Sequence, residues 1–171
     1  MKTSVKYILP LLLLGILFTS CNIKDESNGI PSTVDRILML SLVNNLRQTD
    51  CDCGKNSMPA THTLEWNSRL EAAAYVHALD MEKNQYFSHT SPDGSTPQDR
   101  IETQGYMYVT YGENIASSSS GREQAVFEMW KNSAGHCKNM MDIRFTEIGV
   151  ACSGSYWVMV LAKPKQPADG S

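Results

Sequence analysis

The chain lacks most of the patterns that assign a function on their own. Its 171 residues carry 15 Lys and Arg against 18 Asp and Glu, a formal charge of −3 with no basic cluster, which argues against a nucleic-acid partner. There is no internal repeat, and Ser117 to Ser120 is the one low-complexity run, so a solenoid is excluded. No His-Glu-x-x-His or other local ligand spacing surrounds the histidines, so spacing gives no strong metal signal. No Gly-x-Ser-x-Gly occurs, and the serine run has no nucleophile-elbow context, which leaves a Ser-His-acid hydrolase without support. No apolar run reaches the roughly 20 residues that span a bilayer. What remains is a chain of ordinary hydrophobic content, 42%, and of a length that suits one domain with a real core.

The start of the chain is a targeting segment. Lys2 and Lys6 form a positive n-region, and Tyr7 to Phe18 is an apolar stretch broken by Pro10, so residues 1–20 are expected to be a signal peptide. Leu17-Phe18-Thr19-Ser20-Cys21 resembles a bacterial lipobox, in which Cys21 is lipidated and becomes the mature N-terminus; the alternative is an ordinary cleaved signal followed by a stray cysteine. Removal of residues 1–20 takes away Lys2 and Lys6 and no acid, moving the charge from −3 to −5. Residues 21–32, polar and containing Gly29 and Pro31, are expected to be a flexible tether. The expectation is an exported cell-envelope lipoprotein, facing the periplasm or the cell surface, held by its lipid rather than by basic residues.

A folded domain is expected over 33–163. Thr33 looks like an N-cap before Val34, Ile37, Leu38, Leu42 and Leu46 at helical spacing, and residues 50–63 form a turn-rich loop. A second helix should start after Asn67 and bury Leu70, Ala73, Ala74, His77, Ala78 and Met81, which makes His77 a satisfied core histidine rather than a ligand. Thr96 and Pro97 open a short third helix that Gly105 ends. A strand over 106–116 leads to a fourth helix over 122–132 burying Ala125, Val126 and Met129. Two β-rich runs, Glu147 to Cys152 and Tyr156 to Leu161, flank Ser153-Gly154-Ser155 as a hairpin, and residues 164–171 form a disordered tail. This order predicts a layered α+β domain.

Polar groups concentrate in YFSHTSPDG (86–94), GEN (112–114) and SAGH (133–136), each at a loop or element end. Taken singly, each histidine reads as structural. Together with LVNNLR, LEWNSRLEAAAYVHALDM, YGENIA, WKNSAGHCKNMM, FTEIGVAC and YWVMV, they resemble the CAP superfamily of cysteine-rich secretory, antigen 5 and pathogenesis-related 1 proteins, in its bacterial single-domain form, from about Val34 to Leu161. The resemblance implies an α-β-α sandwich with a central cleft, where His89, Glu113 and His136 face each other and Asn114 and Ser133 lie alongside. Ser133 stands where animal and plant members usually carry a second cleft glutamate, and Glu128 lies elsewhere on its helix. Two imidazoles and one carboxylate could hold Zn²⁺ as an open three-ligand site. A further carboxylate to act as general base is lacking, so a metalloprotease is the weaker reading. The resemblance therefore implies a non-catalytic binding module for a lipid, small amphiphile, peptide or partner protein, expected as a monomer. A metal-dependent hydrolase of peptide or cell-wall substrates is the alternative.

Beyond Cys21, the chain has Cys51, Cys53, Cys137 and Cys152. In an exported protein an even set predicts two disulfides; the competing reading, a Cys₄ zinc site, fits poorly because Cys51-Asp52-Cys53 lacks the usual two-to-four-residue gap. The resemblance implies Cys53 with Cys137, which leaves Cys51 with Cys152.

Overall fold

A computed structural model of the chain describes residues 33–166. The expected signal peptide, Cys21, the tether and residues 167–171 lie outside the described residues. In chain order the elements are α1 (Arg36–Arg47), β1 (Cys51–Cys53), β2 (Asn56–Met58), β3 (Glu65–Trp66), α2 (Ser68–Asn84), α3 (Pro97–Thr103), β4 (Tyr108–Ser117), α4 (Glu123–Lys131), α5 (Ala134–Met141), β5 (Glu147–Ser153) and β6 (Tyr156–Pro164).

Four strands form a sheet in the order β3-β5-β6-β4, antiparallel except for the β3–β5 pair. Alternation along β6 divides the core between the two faces of this sheet. Trp157, Met159 and Leu161 join Ile148 and Val150 against α1, α4 and α5, which contribute Met39, Val43, Val126, Trp130 and Met140. Val158, Val160 and Ala162 face the other way, onto Leu70, Ala74 and Met81 of α2 and Ile101 of α3. Helices thus cover both faces, the expected α-β-α sandwich. Contact is closest at Gly149, where an added Cβ would collide with the backbone of Leu70 and Glu71, so α2 rests directly on β5.

Local signals were followed where the cap chemistry is local. Asn67 caps α2 through its side-chain oxygen, which accepts from Arg69 and Leu70 N–H. Thr96 and Asp99 form a reciprocal capping box with Pro97 at the first helical position. Gly105, at φ +68°, follows the end of α3. The β5–β6 hairpin turns at Ser153 to Tyr156 as expected.

Several expectations are corrected. Asp35, not Thr33, caps α1, its Oδ1 accepting from Leu38 N–H at 3.0 Å; the Thr33 hydroxyl instead accepts from Cys152 N–H at 2.9 Å, tying the chain's entry to β5. The buried stripe of α1 is Met39, Val43, Leu46 and Arg47, while Ile37 is 84% exposed. In α4 the buried face is Val126, Phe127 and Trp130, and Met129 points outward. The turn-rich loop contains the β1–β2 hairpin, and α5 is an additional helix. Strand β6 extends through Lys163, paired with Thr110, to Pro164, and Lys165 N–H donates to Met107 O, so the chain stays tied down past the expected start of the tail.

Cys53 and Cys137 are disulfide-bonded across a sequence separation of 84, a loop whose closure contributes about 4.5 kcal/mol in the chain-entropy description. The expected Cys51–Cys152 bridge is not formed: both thiols are free. The reason is geometric. Cys51 and Cys53 are two apart on β1 and leave the strand on one face, so Cys51 lies beside the existing bridge, while Cys152 donates its Sγ hydrogen to Thr33 O at 3.1 Å.

Candidate functional site

The site forms at β4, an edge strand of the sheet, and draws on both helical layers. Successive residues of a strand point to opposite faces, so Glu113 and Asn114 diverge. Glu113 turns towards α3 and the segment after α2, where His89 sits; Asn114 turns towards α5, which carries His136.

Glu113 is buried, and both of its oxygens are taken. Oε1 accepts from His89 Nδ1 at 2.7 Å, and Oε2 accepts from Arg100 Nη2 at 2.9 Å. The side chain of His89 is 51% exposed and that of Glu113 3%, so the carboxylate holds from within an imidazole that faces solvent. Arg100, also buried, donates from Nη2 to His89 O as well and from Nη1 to Ser95 O, so one guanidinium fixes the backbone and the carboxylate partner of His89 together. The capping box of α3 sets the position of Arg100, four residues beyond Thr96.

His89 is anchored again through α2. The buried His77 shares a hydrogen bond between Nε2 and Ser88 O at 2.8 Å, which pins the residue before His89. Burial pushes the pKa of His77 down, with the Arg100 charge adding and the Glu113 charge opposing, so it stays neutral as a core residue should. Tyr86 completes this support, donating to Asp80 and bonded to the Ser91 hydroxyl at 2.9 Å.

Across the strand, Asn114 donates to His136 O at 3.1 Å and accepts from Asn139 Nδ2 at 2.9 Å, and Asn139 donates also to Glu113 O. His136 lies in the first turn of α5. Burial first, and the proximity of His89 second, lower its pKa below the ordinary 6.5. Ser133 is the N-cap residue of α5 by position, but its hydroxyl makes no cap bond.

His89 and Glu113 thus meet directly, and His136 lies near enough to His89 to feel its charge. A preassembled three-ligand set is not present. Among the described residues the one trio of His, Cys, Asp or Glu ligand atoms within 4.8 Å of one another is Cys51, Cys53 and Cys137, two of which are already bonded together. The donor chemistry still suits a divalent ion held by two imidazoles. With Nδ1 of His89 on a carboxylate, Nε2 is left available, which is the way metal-bound histidines are commonly oriented. Glu113 then acts behind the histidine rather than as a ligand.

Arg100 and Asn139 were missed by sequence reasoning. The signal for Arg100 was a cation next to buried Ile101 in a seven-residue helix; a cation there needs an anion, and Glu113 was the carboxylate already singled out. A groove of ≈ 360 Å³ between α2 and α3 meets the support of this site at Asp80, Ser91, Ser95 and Arg100.

Comparisons with known proteins identify the family and the fold. The family model described as "Cysteine-rich secretory protein family" (CAP) matches residues 40–161. The uncharacterized protein YkwD of Bacillus subtilis (strain 168) is 40% identical over 96 residues, 55% of this chain and 37% of that protein. The uncharacterized membrane protein YlbC of the same organism is 35% identical over 100 residues, 58% of this chain and 29% of that protein, so the match spans about a third of each relative. An extracellular protein containing an SCP domain from Bacillus anthracis superposes with a TM-score of 0.58 at 32% identity, over 60% of this chain and 34% of its own. An outer surface protein of Borrelia burgdorferi shares the fold, with a TM-score of 0.61 at 22% identity over 75% of this chain and 91% of its own.

Proposed function

The chain belongs to the cysteine-rich secretory protein (CAP) family, in its bacterial extracellular type, and on that footing we propose that it is an envelope-anchored binding module without catalytic activity. Its ligand is a lipid, small amphiphile, peptide or partner protein that docks at the edge of β4, against His89 and His136. The observation that carries this reading is the state of Glu113: both oxygens are engaged, one by a guanidinium, so no carboxylate in the site is free to take a proton from water. Ser133, at the position of the missing second carboxylate, cannot supply that base.

Two imidazoles give a divalent ion a modest site. When bound, such an ion would polarise an oxygen of the ligand; the chain's own part is to hold His89 at a fixed angle through Glu113 and to keep His136 neutral by burial. Calorimetry with Zn²⁺ should show binding at pH 7.5 that weakens at pH 5.5, as protons compete with the metal for the imidazole nitrogens, and that is lost in His136→Ala. Casein hydrolysis by the purified protein, sensitive to chelator and absent in His89→Ala, would replace the binding module by the metal-dependent hydrolase.

Anchoring is proposed through Cys21. No helix of the described residues is long and apolar enough to cross a membrane, and the Cys53–Cys137 bridge suits an exported protein. Cys21→Ser should move the protein from the membrane fraction to the soluble fraction, and unchanged fractionation would place the anchor elsewhere.

A further inference from the structure

The sulfurs of Cys51, Cys53 and Cys137 lie within 4.8 Å of one another. Cys53 and Cys137 are joined and inaccessible, at 0% and 1% exposure, whereas Cys51 is a half-buried free thiol. Cys51 also lines a groove of ≈ 450 Å³ between α1 and α4, together with Leu42, Leu46, Phe127, Gln124 and Lys131. One free sulfur thus faces a groove on one side and a buried disulfide on the other.

We propose that these three sulfurs form a thiol–disulfide exchange site, through which small thiols entering the α1/α4 groove reach the buried bridge. The Cys51 thiolate attacks Cys137 Sγ; a Cys51–Cys137 bond forms as the Cys53–Cys137 bond breaks, and Cys53 leaves as a thiolate that takes up the proton Cys51 gave away. No electrons are gained or lost in this step. It transfers the bridge from a sulfur with no exposure to one that lines the groove. A small thiolate then attacks Cys51 Sγ, forming a mixed disulfide and releasing Cys137, and a second small thiolate resolves it to the small disulfide and three protein thiols. Two small thiols are oxidised and one protein disulfide is reduced.

The resting position of the bridge follows from the surroundings. Burial, then Asp52, raises the pKa of the Cys51 thiol, Asp50 adding and Lys131 opposing, so the attacking thiolate is scarce and exchange is slow. Before any small thiol intervenes, the released Cys53 thiolate remains beside Cys137 and its reverse attack returns the bridge to Cys53–Cys137 with no change in electrons, whereas the fully reduced trio closes again by exchange with a small disulfide, which is itself reduced to two thiols. Cys152, the other free thiol among the described residues, is held at Thr33 outside the trio and serves as an internal control.

The test uses the full chain purified without reductant and reduced glutathione as the probe, with timed alkylation and peptide mapping to follow opening of the bridge. Cys51→Ser should slow opening by at least roughly tenfold, because attack on the buried pair then has to wait for unfolding, and Cys152→Ser should leave the rate unchanged. In Cys53→Ser a Cys51–Cys137 link should form spontaneously in air. Equal rates in wild type and Cys51→Ser, slowing by Cys152→Ser of the same size, or a Cys53→Ser protein in which Cys137 stays unlinked would each overturn the proposal.

Discussion

Two arginines are buried in this molecule, and their partners differ. Arg47, 0% exposed at the end of α1, directs its guanidinium at main-chain carbonyls: His62 O from Nε, Met140 O and Asp142 O from Nη1, and Phe145 O from Nη2. Arg100 also meets two carbonyls, but its third partner is the carboxylate of Glu113, which in turn holds a solvent-facing imidazole. Burial lowers the pKa of Arg47 to about 10, only partly opposed by the charge of Asp142, because carbonyl dipoles solvate a cation less well than water does. Arg47 therefore joins the loop around His62, the end of α5 and the following turn into one unit, and it meets the exposed His62 through the main-chain carbonyl rather than through a shared anion. Arg100 transmits the same rigidity to a reactive side chain. A buried cation satisfied by dipoles is a fold anchor; one that shares an anion with an exposed histidine is a positioning group.

Arg47→Met should have the largest effect. It leaves His62 O and Met140 O without their donor, while Asp142 O keeps Phe145 N–H and Phe145 O keeps His62 Nε2, and it should cost about 3–5 kcal/mol in urea unfolding; any protein that folds should bind Zn²⁺ as wild type does. Arg100→Met should cost less, about 2–3 kcal/mol, since His89 still partners Glu113; it should nevertheless weaken Zn²⁺ binding, because the backbone of His89 loses its tether. Adding Glu113→Gln to Arg100→Met should restore part of the stability but not the metal affinity. Equal effects of the two arginine variants on metal binding would erase the distinction between them.

The smallest effect is in the pH profile. His77 and His136 both have folded pKa values below the ordinary 6.5, so below that pH the unfolded chain binds more protons than the folded one. Their contribution to stability is complete above about pH 6.5 and is lost as pH falls through the folded values. Melting temperature should accordingly drop between pH 7 and pH 5. The Arg100 charge is one of the influences lowering His77, so in Arg100→Met this drop should be shallower, and in Arg47→Met it should keep the wild-type slope.

What could be read from the sequence was local in origin. The Asn67 cap, the Thr96–Pro97 start and the buried face of α2 depend on residues within a turn or two of each other, and all three appeared where expected. His77 was legible as a core residue because its helical phase alone placed it inside. The phase of α1 was not, since Arg47 occupies a buried position that apolar periodicity cannot recognise and Met39 and Val43 follow its register. Cys51 was paired wrongly by elimination, which ignores that strand geometry sends it to the same face as Cys53. His89, Glu113 and His136 were singled out through their shared resemblance to a family. Arg100 and Asn139, which hold them, lie 13 and 26 residues from Glu113, and no local rule links such positions.

The placement of the site on β4 also bears on how open the sheet's longer edge is to other chains. An edge strand presents unpaired amides and carbonyls to any extended chain it meets, and β4 is ten residues long where the opposite edge, β3, has only two. Asn139 covers part of this edge by bonding Glu113 O, and His136 and its helix stand beside the neighbouring stretch. Asn139→Ala should therefore leave a free carbonyl in the middle of the longer edge and raise the tendency of concentrated protein to add strand to strand into aggregates. The segment proposed to receive a ligand would thus also be the sheet's guard against its own copies.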